Sequence, residues 1–548
     1  MKKGRLILLP CSLLFALPAS ARAQETPAHE HAPGAHSMVK LGTVSFPNSG
    51  SRSAQTPFLR GLALLHSFEY EDAAEAFREA QRADAGFAVA YWGEALTYAK
   101  LLWGLDDPAA ARSALARLAP TPAARLGRAG TEREKAYGSA IEALYQEGDL
   151  PKRIRGYVAA LRTLTAAHPT DVEARALLAI ALQMGGAGYT GAEAKGRRLE
   201  AIDLAKTIFA AQPDHPGGAH YLIHATDHPE FAAYGLAAAR AYAEIAPDAE
   251  HALHMPSHIF VQIGAWDDVV ASNERAWAAS RASVKARRAS NTDLSFHTLW
   301  WLQYGYLQQG RYAAAKAVVD SVDNLLAGID WAKSDAIDAR FAPTEFRFTY
   351  ATETGDWSVF GSRAPEVVRA GSGGTSQRAQ GFAFANAYNV AFAAAMMNDT
   401  ATAATLTGMF AGDGARRTIA RAHIAALVAR ARGQGSAYLE SLRAAAEADA
   451  QIVHFGPPNM VPAHELLGNA LLEAKLLPDA ISAFEKSLRL MPNRSASLLG
   501  LARAQRAVGD EASARKSYAR LVANWRAADA TMPAVKAALD ESRRSGAQ

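Results

Sequence analysis

Cysteine is almost absent, with Cys11 the sole thiol in 548 residues. It lies in a segment that opens basic (Met1-Lys2-Lys3-Gly4-Arg5), runs apolar from Leu6 to Pro18, and ends on small residues at Ala21-Arg22-Ala23. That order is the pattern of a cleaved secretory signal. The expectation is a chain that starts near Gln24, acts in the periplasm or outside the cell, and keeps no thiol. Disulfides, cysteine nucleophiles and thiolate metal sites are then excluded, so a metal would have to be held by imidazole and oxygen. Cys11 also lies too far before the small-residue site to be a lipid-anchoring cysteine. Long apolar runs are missing: the first is too short to span a bilayer, and no later one approaches ~20 residues. A dominant charge sign is missing as well. The chain has 58 Lys and Arg against 54 Asp and Glu, a net +4 with no basic block, which argues against nucleic acid as a partner. There is no Gly-rich phosphate loop beside a strand, no Gly-x-Ser-x-Gly elbow and no His-Glu-x-x-His.

What is present is alanine-rich and 49% apolar, a composition suited to closely packed helices. A repeat emerges once the chain is read by register. Leu467-Gly468, Ala480 and Phe484, with Pro492 closing the unit, recur 34 residues later as Leu501-Ala502, Ala514 and Tyr518. Gly61, Ala73, Phe77 and Ala80 fit the same template, as do Leu302, Tyr306, Gly310, Tyr312 and Ala315. Small residues let two helices approach and an aromatic fills the gap beside them, the signature of a tetratricopeptide (TPR) unit. Pro213 and Pro247 are 34 apart and close successive units, placing repeats at 216–249 and 250–283. The expected fold is all-α, a TPR-type α-solenoid coiling as a right-handed superhelix of helix-turn-helix repeats. The expected organisation is a signal peptide at 1–23, a flexible histidine-containing tail at 24–53, and an N-terminal array at 54–368. A Gly/Ser linker at 369–380, a C-terminal array at 381–528 and a terminal helix and tail at 529–548 complete it.

The histidines follow the same period. His220 and His224 are four apart, His254 and His258 are four apart, and the pairs are 34 apart. In repeat numbering they occupy positions 5 and 9 of the first helix, which line the concave groove of a TPR array. His251 and His297 fall at position 2 of their units, and His228 and His66 at position 13. Imidazoles one helical turn apart share a face ~6 Å apart, and facing first helices lie ~8–10 Å apart, so the two pairs can converge. The expected site is therefore one transition-metal ion with at least three ligands from His220, His224, His254 and His258, and with His228, His251 or His297 completing or supporting the set. Neutral imidazole suits Zn, Cu, Fe and Ni without choosing among them.

A lone helical histidine is usually a hydrogen-bonded filler. Against that stands the matched spacing, which other units lack: Glu465 and Asn469, and Phe58 and Leu62, occupy the same positions elsewhere. Pro256 suits only a first helical turn, so the second histidine-bearing helix is expected to begin near Met255, with His251 and His254 in its lead-in. Pro229 is expected to end the preceding helix near His228. Trp300, Tyr304 and Glu345 are candidates to line a ligand groove. Asp227, Glu230 and Glu345, with Arg340 and Arg347 beside the last, are weaker candidates for supporting or acid–base roles, and His66 with Glu69 is another weak pair.

The stretches His-Pro-Gly-Gly-Ala-His-Tyr-Leu-Ile-His-Ala (215–225) and His-Ala-Leu-His-Met-Pro-Ser-His-Ile-Phe (251–260) resemble a family of exported bacterial TPR proteins. The blocks Gly61–Tyr70 and Ala90–Glu94 resemble it too, and the likeness extends over most of the chain after the signal. It implies the fold, export, and a family signature that includes His220, His224, His254 and His258; it brings no activity with it. Two functions fit. One is an exported binding or scaffold protein, whose groove takes a peptide or protein partner, a small molecule or a Zn, Cu or Fe ion. The other is a metalloenzyme on the same frame, its histidine-bound ion activating water or oxygen.

Overall fold

A computed structural model describes residues 40–546 apart from 101, 103–104, 185–189, 335, 362–376, 453 and 532. Among the described residues the regular structure is entirely helical, with no strand, and no helix is long and apolar enough to cross a membrane. Sequence dictates many of the boundaries. The side chains of Asp107, Thr131, Asp149 and Asp171 each accept a backbone N–H at a helix start. Pro108, Pro216 and Pro256 sit in first turns, where no N–H is needed.

The repeat packing follows from its small residues. Phe77 is fully buried between Gly61 and Gly93, where an added Cβ would come within 2.9 and 2.6 Å of the ring. Phe484 is clasped the same way by Gly468 and Gly500, at 2.9 and 2.3 Å. Successive antiparallel helices stack on their neighbours in this manner through both arrays, which is the TPR-type α-solenoid.

The last C-terminal units join the core of the N-terminal array. Leu498, Ala502, Tyr518 and Trp525 of the C-terminal units belong to the same buried cluster as Phe77, Trp266 and Tyr312. Trp266 Nε1 donates to the Asn493 carbonyl at 3.0 Å, and Asn493 Nδ2 donates to that of Gly264 at 3.0 Å. Gly264 is left-handed (φ 67) and a Cβ there would lie 2.6 Å from the Pro492 carbonyl oxygen, so the close approach needs glycine. Arg494 is the main bolt. Buried completely, it pairs with Glu465 at 2.8 and 2.9 Å and with Glu353 at 2.7 Å, and it donates to the Tyr304 hydroxyl at 3.0 Å.

Two expectations change. Residues 40–51, assigned to a flexible tail, form an ordered extended strap, because Leu41 and Phe46 are buried anchors. Its backbone is tied down at Asp248 by Lys40 (2.6 Å), at Asp214 by Thr43 (2.9 Å) and at Glu134 by Ser49 (2.7 Å). The tail histidines His29, His31 and His36 lie outside the described residues, as does most of the Gly/Ser segment. Residues 377–380 of the expected linker instead open the helix Gln377–Met396.

Candidate metal centre

Four helical segments carry the histidines. Pro216–Thr226 presents His220 and His224, Pro256–Ile263 presents His258, and Phe296–Gln308 presents His297 at its start. The lead-in before Pro256 is itself helical. A short helix, Glu250–His254, holds His251 and His254, and Met255 keeps helical angles (φ −54, ψ −34) between the two pieces. Pro256 lacks an N–H, so the break falls where proline interrupts the ladder.

The two pairs do not gather at one point. They divide into two triads, His220 with His224 and His251, and His254 with His258 and His297; within each, one nitrogen per ring lies within 4.8 Å of the others. No set of ring nitrogens within 4.8 Å of one another spans both pairs among the described residues, and each pair takes its third ring from the start of the following unit. His251 and His297 are thus members of the sites, while His228 belongs to neither triad. Its Nδ1 accepts from the Glu230 N–H at 3.1 Å, and its ring packs on Phe231.

Hydrogen bonds fix the tautomers. His254 Nδ1 lies 2.7 Å from Asn273 Oδ1, an acceptor because Asn273 Nδ2 donates to the Val269 carbonyl. His254 therefore carries its proton on Nδ1. His258 Nδ1 donates to Asp227 Oδ2 at 2.7 Å, and the other oxygen of Asp227 accepts from Gln262 at 2.9 Å. With both rings neutral, the two Nε2 atoms carry lone pairs, and they face each other at 3.2 Å. Lone pairs so placed repel unless a proton or a metal ion lies between them. A tetrahedral ion with bonds of ~2.0–2.1 Å sets its nitrogens ~3.3–3.4 Å apart, close to this spacing.

The other triad is deeper. His220 Nδ1 donates to the His66 carbonyl at 2.6 Å, leaving Nε2 buried with no hydrogen-bond partner; Nε2 of His224 is likewise buried and unpartnered. Burial, and then neighbouring imidazoles, pushes His220, His251 and His254 well below the usual histidine range, and His224 down to about 3. These rings stay neutral, the form that binds metal. Phe68 walls this triad, its ring 4.4 Å from that of His220 and 5.4 and 5.5 Å from those of His224 and His251. It does so from a left-handed backbone (φ 59) that an aromatic residue rarely adopts.

A third group was not foreseen. His66, expected beside Glu69, instead donates through Nε2 to Glu173 at 2.6 Å, and His215 does so at 3.1 Å. His66 Nδ1 accepts from the Tyr221 hydroxyl at 2.8 Å and His215 Nδ1 from the Gly218 N–H at 3.1 Å. Burial alone would raise Glu173, but the two histidines at its oxygens bring it down to about 2. Every nitrogen here is used, so the group braces His66, whose carbonyl holds His220. Glu173 lies 107 and 42 residues from His66 and His215, so spacing gave no signal for it.

The expected groove residues serve the fold. Trp300 is buried and donates to Thr349 at 2.8 Å, and Tyr304 is covered by Arg494. Ser495 adds bonds to Gln308, so the C-terminal units fill this face. Glu345 is partly buried and pushed up to about 8, first by burial and then by Asp338, and it joins neither triad. Arg347, expected beside it, pairs with Asp323, and Glu230 pairs on the surface with Lys195.

The sequence matches no family model and no curated protein. Among solved structures, the chain is similar to the crystal structure of yeast Tom70 at 11% identity, covering 90% of this chain and 96% of that one with a TM-score of 0.29. It is also similar to a structure titled as Naa15/Naa10 bound to HypK-THB, at 13% identity, covering 90% of this chain and 62% of that one with a TM-score of 0.23. Both likenesses are distant.

Proposed function

We propose that this protein is an exported helical-repeat metalloprotein that binds a first-row transition-metal ion of the Zn, Cu or Fe class on neutral imidazoles. One observation carries the reading: the lone-pair nitrogens of His254 and His258 face each other at 3.2 Å with both Nδ1 protons committed elsewhere. Asp227 supports it, since a carboxylate behind a ligating imidazole orients the ring and strengthens it as a donor. Three imidazoles leave a coordination position for water or another small ligand, which is the opening that hydrolytic or oxygen chemistry uses.

Binding a peptide across the same face has less support. The array's own residues Arg494 and Ser495 cover Tyr304 and Gln308 there. Repeat scaffolds do offer other surfaces to protein partners. Catalysis by a protein base also has little support, because Asp227 orients His258, Glu230 is on the surface and Tyr304 is bonded to Arg494.

The test is elemental analysis of the chain purified without an affinity tag, beside a His220→Ala/His258→Ala variant. The wild type is expected to retain metal beyond what its tail histidines take up, and the folded variant to lose it. Equal metal in the two would refute the assignment. Export is tested by mass spectrometry of the protein from its producing cell, which should start at or near Gln24; an intact Met1 would refute it.

A further inference from the structure

We infer that the two triads hold one ion each, so that the protein carries a two-metal centre made by a single pattern used twice. The inference rests on the metal-centre reading above and adds the number and arrangement of the ions. The pattern is two imidazoles four residues apart on a first helix, completed by one from the start of the next unit. It is met by His220, His224 and His251 and again by His254, His258 and His297.

Each triad shows its own sign of an ion. In the outer one it is the facing Nε2 pair of His254 and His258. In the inner one it is the Nε2 atoms of His220 and His224, buried and unpartnered, with His220 wholly enclosed. A buried polar nitrogen that meets no partner is costly, and two side by side are not ordinary core filling. The braced group around Glu173 shows the contrast, since all its histidine nitrogens have protein partners.

The triads abut. The rings of His224 and His258 are 6.2 Å apart and those of His251 and His254 are 6.4 Å apart, much like the 6.3 Å between His258 and His297 inside the outer triad. His251 and His254 also lie on the one short helix, Glu250–His254, so that helix gives a ligand to each ion. The sites differ in access. His297 is exposed and opens the outer triad to solvent, whereas Phe68 and Tyr242 pack against His220 in the inner one. The centre takes two like divalent transition-metal ions.

The experiment loads the full chain with Cu(II) alone, in a background where His29, His31 and His36 are alanine so that the tail adds nothing. Copper is counted by elemental analysis and its magnetism read by electron paramagnetic resonance. The expected result is two coppers per chain with the half-field transition of an interacting pair. His251→Ala and His297→Ala are each expected to bind one copper with the spectrum of an isolated ion. Circular dichroism checks that each variant folds, and His251→Gln or His297→Gln replaces one that does not. One copper in the parent chain would overturn the pair while leaving the single-ion reading intact. Two coppers without the half-field transition, or two retained by either variant, would also overturn it. No copper at all would overturn both readings.

Discussion

Two regions of this molecule bury polar side chains, and they resolve the cost in opposite ways. Around Arg494 a full positive charge is enclosed, and the surroundings answer it with Glu353, Glu465 and Tyr304, while Ser497 donates to Glu465. Around the histidines Asp227 bonds to His258, burial holds His220, His224, His251 and His254 neutral, and the Nε2 atoms of His220 and His224 meet no donor. The first arrangement is complete as a piece of protein. The second leaves ring nitrogens without a protein partner, which is what the proposed metal would answer.

The comparison predicts its largest effect at Arg494. Arg494→Met removes the positive charge and leaves Glu353 and Glu465 buried together, which should cost about 3–5 kcal/mol. Urea unfolding in EDTA measures it, and added zinc should not restore the loss, because nothing in this network awaits a metal. A variant within about 1 kcal/mol of wild type would mean that the bolt between the arrays is not as complete as its bonds suggest.

The histidine side should respond in reverse. Free zinc at ~100 times its dissociation constant should stabilise the wild type by about 2.7 kcal/mol. Asp227→Asn keeps a hydrogen-bonding side chain behind His258 but withdraws the carboxylate, and such changes weaken metal affinity about 10–100-fold. At the same free zinc the variant should therefore lose half or more of the gain, with melts in EDTA as the baseline for each chain. An unchanged zinc response would separate Asp227 from the metal.

Much of this was legible in the sequence, for particular reasons. The period of 34 and the small–aromatic pattern gave the helices, because Gly61, Phe77, Gly468 and Phe484 act locally within a unit and its neighbour. The spacing of His220, His224, His254 and His258 gave the face. It did not give the division into triads, since spacing along a helix is blind to the distance between helices, and His251 and His297 were placed as completing or supporting a single set. Glu173, His215 and Asn273 were out of reach because each acts across the fold. Trp300 and Tyr304 read as groove-lining for a related reason: repeat register marks the concave face, but only the return of Arg494 and Ser495 onto that face shows that the chain fills it.

Glu345 supplies the smallest and sharpest test, since it is a withdrawn carboxyl without Arg494's kind of answer. Burial first, and Asp338 second, raise it to about 8, so in the folded chain it is protonated at neutral pH. In the unfolded chain it ionises near ~4.3. The sign follows from the raised folded value. The unfolded state releases this proton first, so the stability tied to the protonated form is fully present below ~4.3 and is lost as pH rises through about 8. Glu345→Gln keeps the shape and removes the titration. Because the side chain retains some contact with water, the gain should be about 1 kcal/mol, or ~2–4 °C in melting temperature, at pH ~8.5 and close to nothing at pH ~4.5. Melting curves in EDTA at the two pH values decide it. A variant that melts with the wild type at the higher pH would show that Glu345 has a buried cationic partner after all and belongs with the Arg494 kind of site.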